Sequence, residues 1–353
     1  MNIRSLPVYL VIDCSESMAG PAFDSVQNGI QTLINEIYSD PIALETVALS
    51  VITFSANAKV AVPLTEVPNF QKPKLVLGSG TSLGLALDLV TERLRQEVRV
   101  QTKEVKGDWK PLVFILTDGN PTDTWFAAAD RFKSQISGKS ANVIAVACGP
   151  EVEFSNLRRI TDITLAFKNP AEVAFSQFFK WVSQSVKTTS TRCSEGAKEG
   201  IVLPNLPECL EMVTDGLHVD YGKSVYIMAR CHNTKGLYIM KYEKIPEEVL
   251  QDLRRKGVPI TQGKEMYCGA MSHPIDGFDF SADGSMPSLS VPSDSLVMPP
   301  ACPYCKNPAW AFDGDCGNIF CIGKPGRHTC PWCGGTDDYG VTEEAFDVTH
   351  RMG

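Results

Sequence analysis

Short apolar runs and helical stripes alternate through the first half of the chain. Residues 8–12, 47–54, 112–116 and 142–147 are runs rich in Val, Ile and Leu, the texture of strands buried on both faces. Between them Phe23, Val26, Ile30, Leu33, Ile34 and Ile37 recur at helical spacing, as do Leu83, Leu87, Val90 and Leu94. Each set makes one apolar stripe on a helix. A helix from about Asp123, a weak strand over 163–167 and a helix over about 171–186 complete the series. Such alternation predicts an α/β fold: a doubly wound, mostly parallel sheet covered on both faces. Residues 59–62 read as its one antiparallel edge partner. The polar run Thr188-Thr189-Ser190-Thr191 is expected to close this first domain, residues 1–190.

Beyond it the pattern shortens. Residues 224–230 and 237–242 flank Asn233-Thr234-Lys235-Gly236, a hairpin signature, and Pro246 opens a short acidic-first helix. A small α+β module is expected over 195–282. A Ser/Pro-rich linker over 283–300 and a cysteine-rich, zinc ribbon-like module over 301–340 follow.

Net charge and cysteine placement narrow the function. A formal charge of −8 over 353 residues argues against a nucleic-acid binder, whose affinity comes from clustered Lys and Arg. No apolar run approaches the length of a membrane span, and no cleavable leader is legible, so a cytoplasmic protein is expected. Of 12 cysteines, half fall between Cys302 and Cys333. In a reducing compartment that density means metal rather than disulfides. Cys14 and Cys148, beside apolar strands, read as small buried hydrophobes.

Three loops carry oxygen donors. Asp13-Cys14-Ser15-Glu16-Ser17 follows the first strand, Gly78-Ser79-Gly80-Thr81-Ser82 opens a helix, and Asp118 ends another strand. Hard divalent cations want such oxygens. Together the loops resemble the metal-ion-dependent adhesion site (MIDAS) of von Willebrand factor A domains, with a Rossmann-like fold implied. The resemblance fills all five positions, Asp13, Ser15, Ser17, Thr81 and Asp118. It implies that Ser15, Ser17 and Thr81 approach Mg²⁺ (or Mn²⁺) while Asp13 and Asp118 act through waters. A partner's Asp or Glu would complete the coordination.

Cys302-Pro303-Tyr304-Cys305 and Cys330-Pro331-Trp332-Cys333 supply four thiols, expected to share one Zn²⁺. Cys316 and Cys321 could replace a knuckle, serve a second ion or stay free, and His328 is close enough to be an alternative ligand, although a surface histidine is the favoured account. A further site from Cys231, His232 and Cys268 is less favoured than ordinary burial, because it lacks paired spacing. An A domain with such a tail resembles the bacterial TerY proteins of tellurite-resistance and stress-response clusters. That resemblance implies a scaffold without enzymatic activity, partnering a Ser/Thr kinase and a PP2C-type phosphatase in a phosphorylation system. The alternative is a metal-assisted hydrolase or phosphatase using the same ion. Against it, the position two residues after Asp13 is Ser15 rather than a second carboxylate. No histidine precedes residue 218, and Glu16 beside the site could act as a base or equally be solvated.

Overall fold

A computed structural model describes residues 4–103, 106–149, 152–168, 171–195, 203–213, 224–275, 289–340 and 345–350. The chain divides into two compact units, one within residues 1–219 and one within 220–353.

The first unit contains β1 (Leu6–Asp13), α1 (Pro21–Tyr38), α2 (Pro41–Thr46), β2 (Val47–Phe54), β3 (Ala58–Glu66), α3 (Leu83–Glu97) and β4 (Leu112–Thr117). It continues with α4 (Phe126–Gln135), β5 (Asn142–Ala147), α5 (Phe154–Ile160), β6 (Ile163–Phe167), α6 (Glu172–Ser194) and β7 (Leu210–Met212). The strands form one sheet in the order β3-β2-β1-β4-β5-β6-β7. All inner pairings are parallel, and β3 and β7 close the two edges antiparallel.

Alternate residues of each inner strand serve opposite faces. Tyr9, Val11, Val113 and Ile115 join a core with Leu87, Val90 and Phe132 from α3 and α4. Phe114 points the other way, edge-on to Trp181 of α6 with ring centroids 6.5 Å apart. Burial on both faces is why these strands read as unbroken apolar runs.

Two differences from the sequence reading concern the end of this unit. The polar run 188–191 lies inside α6, with Thr189 and Ser190 buried. Three hydroxyls in this helix, those of Ser183, Ser185 and Thr191, donate to carbonyls one turn back, at 2.8, 2.8 and 3.0 Å. Ser190 Oγ also pairs with Thr46 Oγ1 at 2.6 Å. The run is thus helix rather than loop, with Thr191 bonding back along it and Ser190 bonding across to α2. The second difference is β7, an antiparallel strand drawn from beyond the expected boundary.

The chain leaves β1 for β2 on one side and later enters β4 on the other. The carboxyl ends of β1 and β4 therefore flank a topological switch point, where open α/β sheets hold ligands.

The second unit contains β8 (Ser224–Arg230), β9 (Leu237–Lys244), α7 (Glu247–Arg255), β10 (Tyr267–Pro274), β11 (Leu289–Pro292) and β12 (Leu296–Val297). After these come β13 (Ala309–Asp313), β14 (Asn318–Ile322), β15 (Gly326–Thr329), β16 (Thr336–Tyr339) and β17 (Asp347–His350). The predicted hairpin is β8–β9, and the helix from Pro246 is α7. One six-stranded sheet, β12-β10-β9-β8-β14-β13, runs through the whole unit. The expected α+β module and the cysteine-rich module thus share a sheet, because β14 pairs in parallel with β8. Of the expected linker, 283–288 lie outside the described residues. Residues 289–297 form β11, β12 and the turn between them. Separate pairs β11–β17 and β15–β16 complete the unit.

Helices α1 and α6 approach closely at Gly29, where an added Cβ would overlap the ring of Phe179. Replacing Gly29 by Ala should gain about 1 kcal/mol of helix propensity. Phe179 is fully buried, however, and overpacking of a core costs about 1–3 kcal/mol. We expect Gly29→Ala to lower the urea midpoint; a raised midpoint would show that the α1–α6 contact yields freely.

Candidate metal centres

The first centre is built at the switch point. Asp13, the last residue of β1, is wholly buried. Its Oδ1 accepts the Ser15 N–H at 2.9 Å and its Oδ2 accepts the Thr117 hydroxyl at 2.6 Å. A chain of oxygens runs on from there: Ser15 Oγ to Ser17 Oγ at 2.9 Å, and Ser17 Oγ to Asp118 Oδ1 at 2.7 Å. The third loop is fastened by its backbone. Gly80 N–H donates to Glu16 Oε2 at 2.7 Å, and Thr81 N–H donates to Thr122 Oγ1 at 2.9 Å. Gly80 has φ 77°, a conformation that favours glycine. Gly149 packs on Asp118, where an added Cβ would lie 2.8 Å from the aspartate Cβ.

The sequence-predicted residues Asp13, Ser15, Ser17 and Asp118 are thus joined by hydrogen bonds, and Thr81 sits on a loop tied to theirs through Glu16. Thr81 is buried, yet its Oγ1 has no hydrogen-bond partner. Such a group costs free energy unless something meets it. Carboxylate and hydroxyl oxygens gathered in this way are a donor set suited to a hard cation. Thr117 and Thr122 are structural parts of the site that spacing alone did not single out, and Glu16, considered above as a base, is a brace for the Thr81 loop. Thr117 could have been found, since it precedes Asp118 and points to the same strand end.

The second unit holds two donor sets. Cys231, Cys302, Cys305 and Cys321 place their sulfurs within 4.8 Å of one another, and so do the donor atoms of Asp313, Cys316, Cys330 and Cys333. This corrects the expected single site of Cys302, Cys305, Cys330 and Cys333. The two C-x-x-C knuckles serve different sets, because β14 runs between them. Its turn brings Cys316 to one set and its far end brings Cys321 to the other. Cys231, weighed above as part of a lesser site, completes the first set, while His232, Cys268 and His328 belong to neither.

Four turns of one design supply these donors. In each, a residue four positions on bonds back to the first residue's carbonyl: Lys235 to Cys231 at 3.0 Å and Lys306 to Cys302 at 2.9 Å. The same bond joins Gly317 to Asp313 at 2.8 Å and Gly334 to Cys330 at 3.0 Å. All four of these residues have positive φ, from 61° to 79°. N–H groups inside the turns point at the donors, Thr234 to Cys231 Sγ and Trp332 to Cys330 Sγ, each at 3.4 Å. At Asp313 the N–H groups of Asp315 and Cys316 point instead at the carboxylate Oδ1, at 2.9 and 3.1 Å. Asp313 therefore stands where the other turns have their first cysteine. Burial opposes its charge, but donors from Cys330, Cys316, Tyr339 and Asp315 outweigh that and hold it below the usual carboxylate range. The sequence signal was present in Asp313-Gly314-Asp315-Cys316, a knuckle with a carboxylate in front.

Residues 8–181 match the von Willebrand factor type A domain family, and residues 222–353 match the TerY-C metal binding domain. The chain joins an A domain to a TerY-C domain. Similar folds among solved structures include the PilB minor pilin of Streptococcus sanguinis, 13% identical with a TM-score of 0.41, covering 53% of this chain and 62% of that one. Proximal thread matrix protein 1 from the mussel byssus, with a zinc-occupied MIDAS motif, is 16% identical with a TM-score of 0.37 (53% and 46% covered). A von Willebrand factor type A protein from Catenulispora acidiphila is 13% identical with a TM-score of 0.39 (69% and 63% covered). The chain spans less than two thirds of each of these proteins. No curated protein matches it in sequence.

In the A domain, burial raises the Asp13 carboxyl from 3.8 to about 6, with the Thr117 and Ser15 hydrogen bonds opposing. A raised carboxyl means that, without metal, the folded state keeps its proton over a range where the unfolded chain has lost it. Stability from this residue therefore falls as pH rises from about 4 to about 6, and is level above. Asp13→Asn lacks that loss. In EDTA, the variant's stability relative to wild type should grow by roughly 3 kcal/mol between pH 4 and 7. A difference in urea unfolding that ignores pH would mean Asp13 ionises there without cost.

Proposed function

We propose that the protein is a metal-dependent scaffold that binds protein partners. Asp13, Ser15, Ser17, Thr81 and Asp118 would hold Mg²⁺ or Mn²⁺ and leave one coordination position to an Asp or Glu of a partner. The observation that carries this reading is the buried Thr81 Oγ1, which lacks a hydrogen-bond partner on a loop tied to four other oxygen donors. Hydroxyl donors leave the ion electron-poor, so a carboxylate from outside is the ligand it would favour. An acidic protein thereby gains attraction for an acidic partner.

The two donor sets of the TerY-C domain are best suited to Zn²⁺. Thiolate-rich tetrahedral sets select it, and the N–H groups aimed at sulfur and at Asp313 are the outer-shell bonds such ligands need. The resemblance to TerY supports a Ser/Thr kinase and a PP2C-type phosphatase as partners in a stress or tellurite response. A cytoplasmic setting suits free thiols in this number, and among the described residues no helix is long and apolar enough to cross a membrane. A binding role is favoured over hydrolysis because Glu16, the candidate base, is buried and accepts the Gly80 N–H at 2.7 Å. It braces the Thr81 loop.

Calorimetric titration of the full chain with Mg²⁺ and Mn²⁺ tests the A-domain reading. Asp118→Ala and Thr81→Ala should each weaken binding at least tenfold, about 1.4 kcal/mol or more, with the circular dichroism spectrum unchanged. Once a partner is in hand, a double-mutant cycle between Thr81 and its carboxylate should show coupling. Unchanged affinity in both variants would remove the site.

Elemental analysis should find two zinc ions per chain purified without chelator. One ion would contradict the pairing of donors into two sets.

A further inference from the structure

Strand β14 is a partition within the second unit. Ile319 and Cys321 face the main core, with Tyr238 and Tyr242. Phe320 and Ile322 face the other side, where with Ala311 they pack against Cys330, Trp332 and Tyr339. That cover is thin. Between residues 323 and 340, which contain the β15–β16 hairpin, Cys330 alone is buried. A two-stranded hairpin without its own core is marginal in water.

Few side chains attach the hairpin to the partition. Trp332 Nε1 donates to the Ile319 carbonyl at 2.7 Å, and the Arg230 guanidinium lies 4.3 Å from the Trp332 ring. Tyr339 sits edge-on to Phe320, with centroids 5.0 Å apart, and donates its hydroxyl to Asp313 Oδ2 at 2.9 Å. His328 meets His232 edge-on at 5.2 Å. The strongest attachment is the donor set itself, with Asp313 and Cys316 on the partition side and Cys330 and Cys333 on the hairpin side.

The two sets retain an ion differently. In the four-cysteine set, Cys231, Cys302 and Cys321 are at most 1% exposed, and the donors come from three chain segments rather than two. In the other set, Cys333 is the one exposed cysteine of the protein's twelve. A carboxylate also replaces one thiolate, giving a harder and weaker zinc ligand.

We propose that the Asp313–Cys316–Cys330–Cys333 centre is an exchangeable zinc clasp. Loss of its ion frees residues 323–340 and uncovers the apolar face of Ala311, Phe320 and Ile322, while the six-stranded sheet and the four-cysteine centre persist. Zinc availability is thereby converted into exposure of an apolar surface, through local rather than global unfolding. This rests on the reading of both donor sets as zinc centres.

The test is native mass spectrometry of the zinc-loaded full chain against graded 4-(2-pyridylazo)resorcinol, with hydrogen exchange measured at each stage. A species with one zinc should accumulate, and in it the amides of β15 and β16 should exchange at least tenfold faster while β8 and β9 stay protected. Asp313→Asn should reach that species at lower chelator concentration, and Asp313→Cys should need more. Simultaneous loss of both ions, or a one-zinc species whose hairpin stays protected, would overturn the clasp. A loaded chain holding fewer than two zinc ions would overturn the zinc reading and the clasp with it.

Discussion

The first unit depends on a carboxylate that has no access to water. Asp13 ends an inner strand at the switch point, and burial alone would keep it protonated well above the usual carboxylate range. Its neighbours reduce that cost without removing it, through the Thr117 hydroxyl and the Ser15 N–H. The loops that carry Ser15, Ser17 and Asp118 are held by the hydrogen bonds that radiate from this residue. The sheet supplies rigidity, and the loops supply oxygens whose mutual repulsion a cation would relieve. Fold and donor set are therefore one design, because parallel strands that diverge on either side of β1 leave the gap that these loops fill.

The second unit reaches a comparable end by repetition. One turn, with its fourth-residue backbond and positive φ, occurs at Cys231, Cys302, Asp313 and Cys330. Each occurrence aims N–H groups inward, so each fixes the orientation of a donor before any ion arrives. The turn at Cys231 carries Thr234 where the others carry a second cysteine. Its set is completed from the far end of β14 by Cys321, which is why that set spans the sheet and the other stays local.

The parts of this architecture that were legible in the sequence are those fixed by local periodicity. Buried strands, amphipathic helices and the oxygen-bearing loops each announce themselves within about ten residues. The edge strand β7 did not, because three residues carry no period. The run at 188–191 misled because Ser and Thr serve helices and loops equally well, here with Thr191 bonding back along the helix and Ser190 bonding to Thr46. Pairing of the knuckles was a matter of long-range topology. Spacing put Cys302 and Cys305 with Cys330 and Cys333, but β14 lies between the pairs, and no local signal reports a strand that joins a sheet begun some ninety residues earlier. Asp313 was hidden for a simpler reason: a search for cysteine pairs passes over a carboxylate in a cysteine's position.

Donor chemistry also explains how three ions could be kept apart in one chain. The A-domain set is all oxygen, which suits Mg²⁺ and offers little to a soft ion, while the four-cysteine set is all sulfur and offers little to Mg²⁺. Ligand hardness alone keeps Mg²⁺ from the all-sulfur set. The Asp313 set is mixed. Its carboxylate oxygens are held by backbone N–H groups and the Tyr339 hydroxyl even without metal. On losing an ion, that carboxylate therefore returns to oxygen-accepted hydrogen bonds already in place, whereas the four-cysteine set returns to weaker N–H contacts on sulfur, from His232 to Cys321 at 3.3 Å and from Thr234 to Cys231 at 3.4 Å. The difference lowers the cost of the metal-free state more at one centre than at the other. One aspartate in a cysteine's position is enough to make two neighbouring sets unequal.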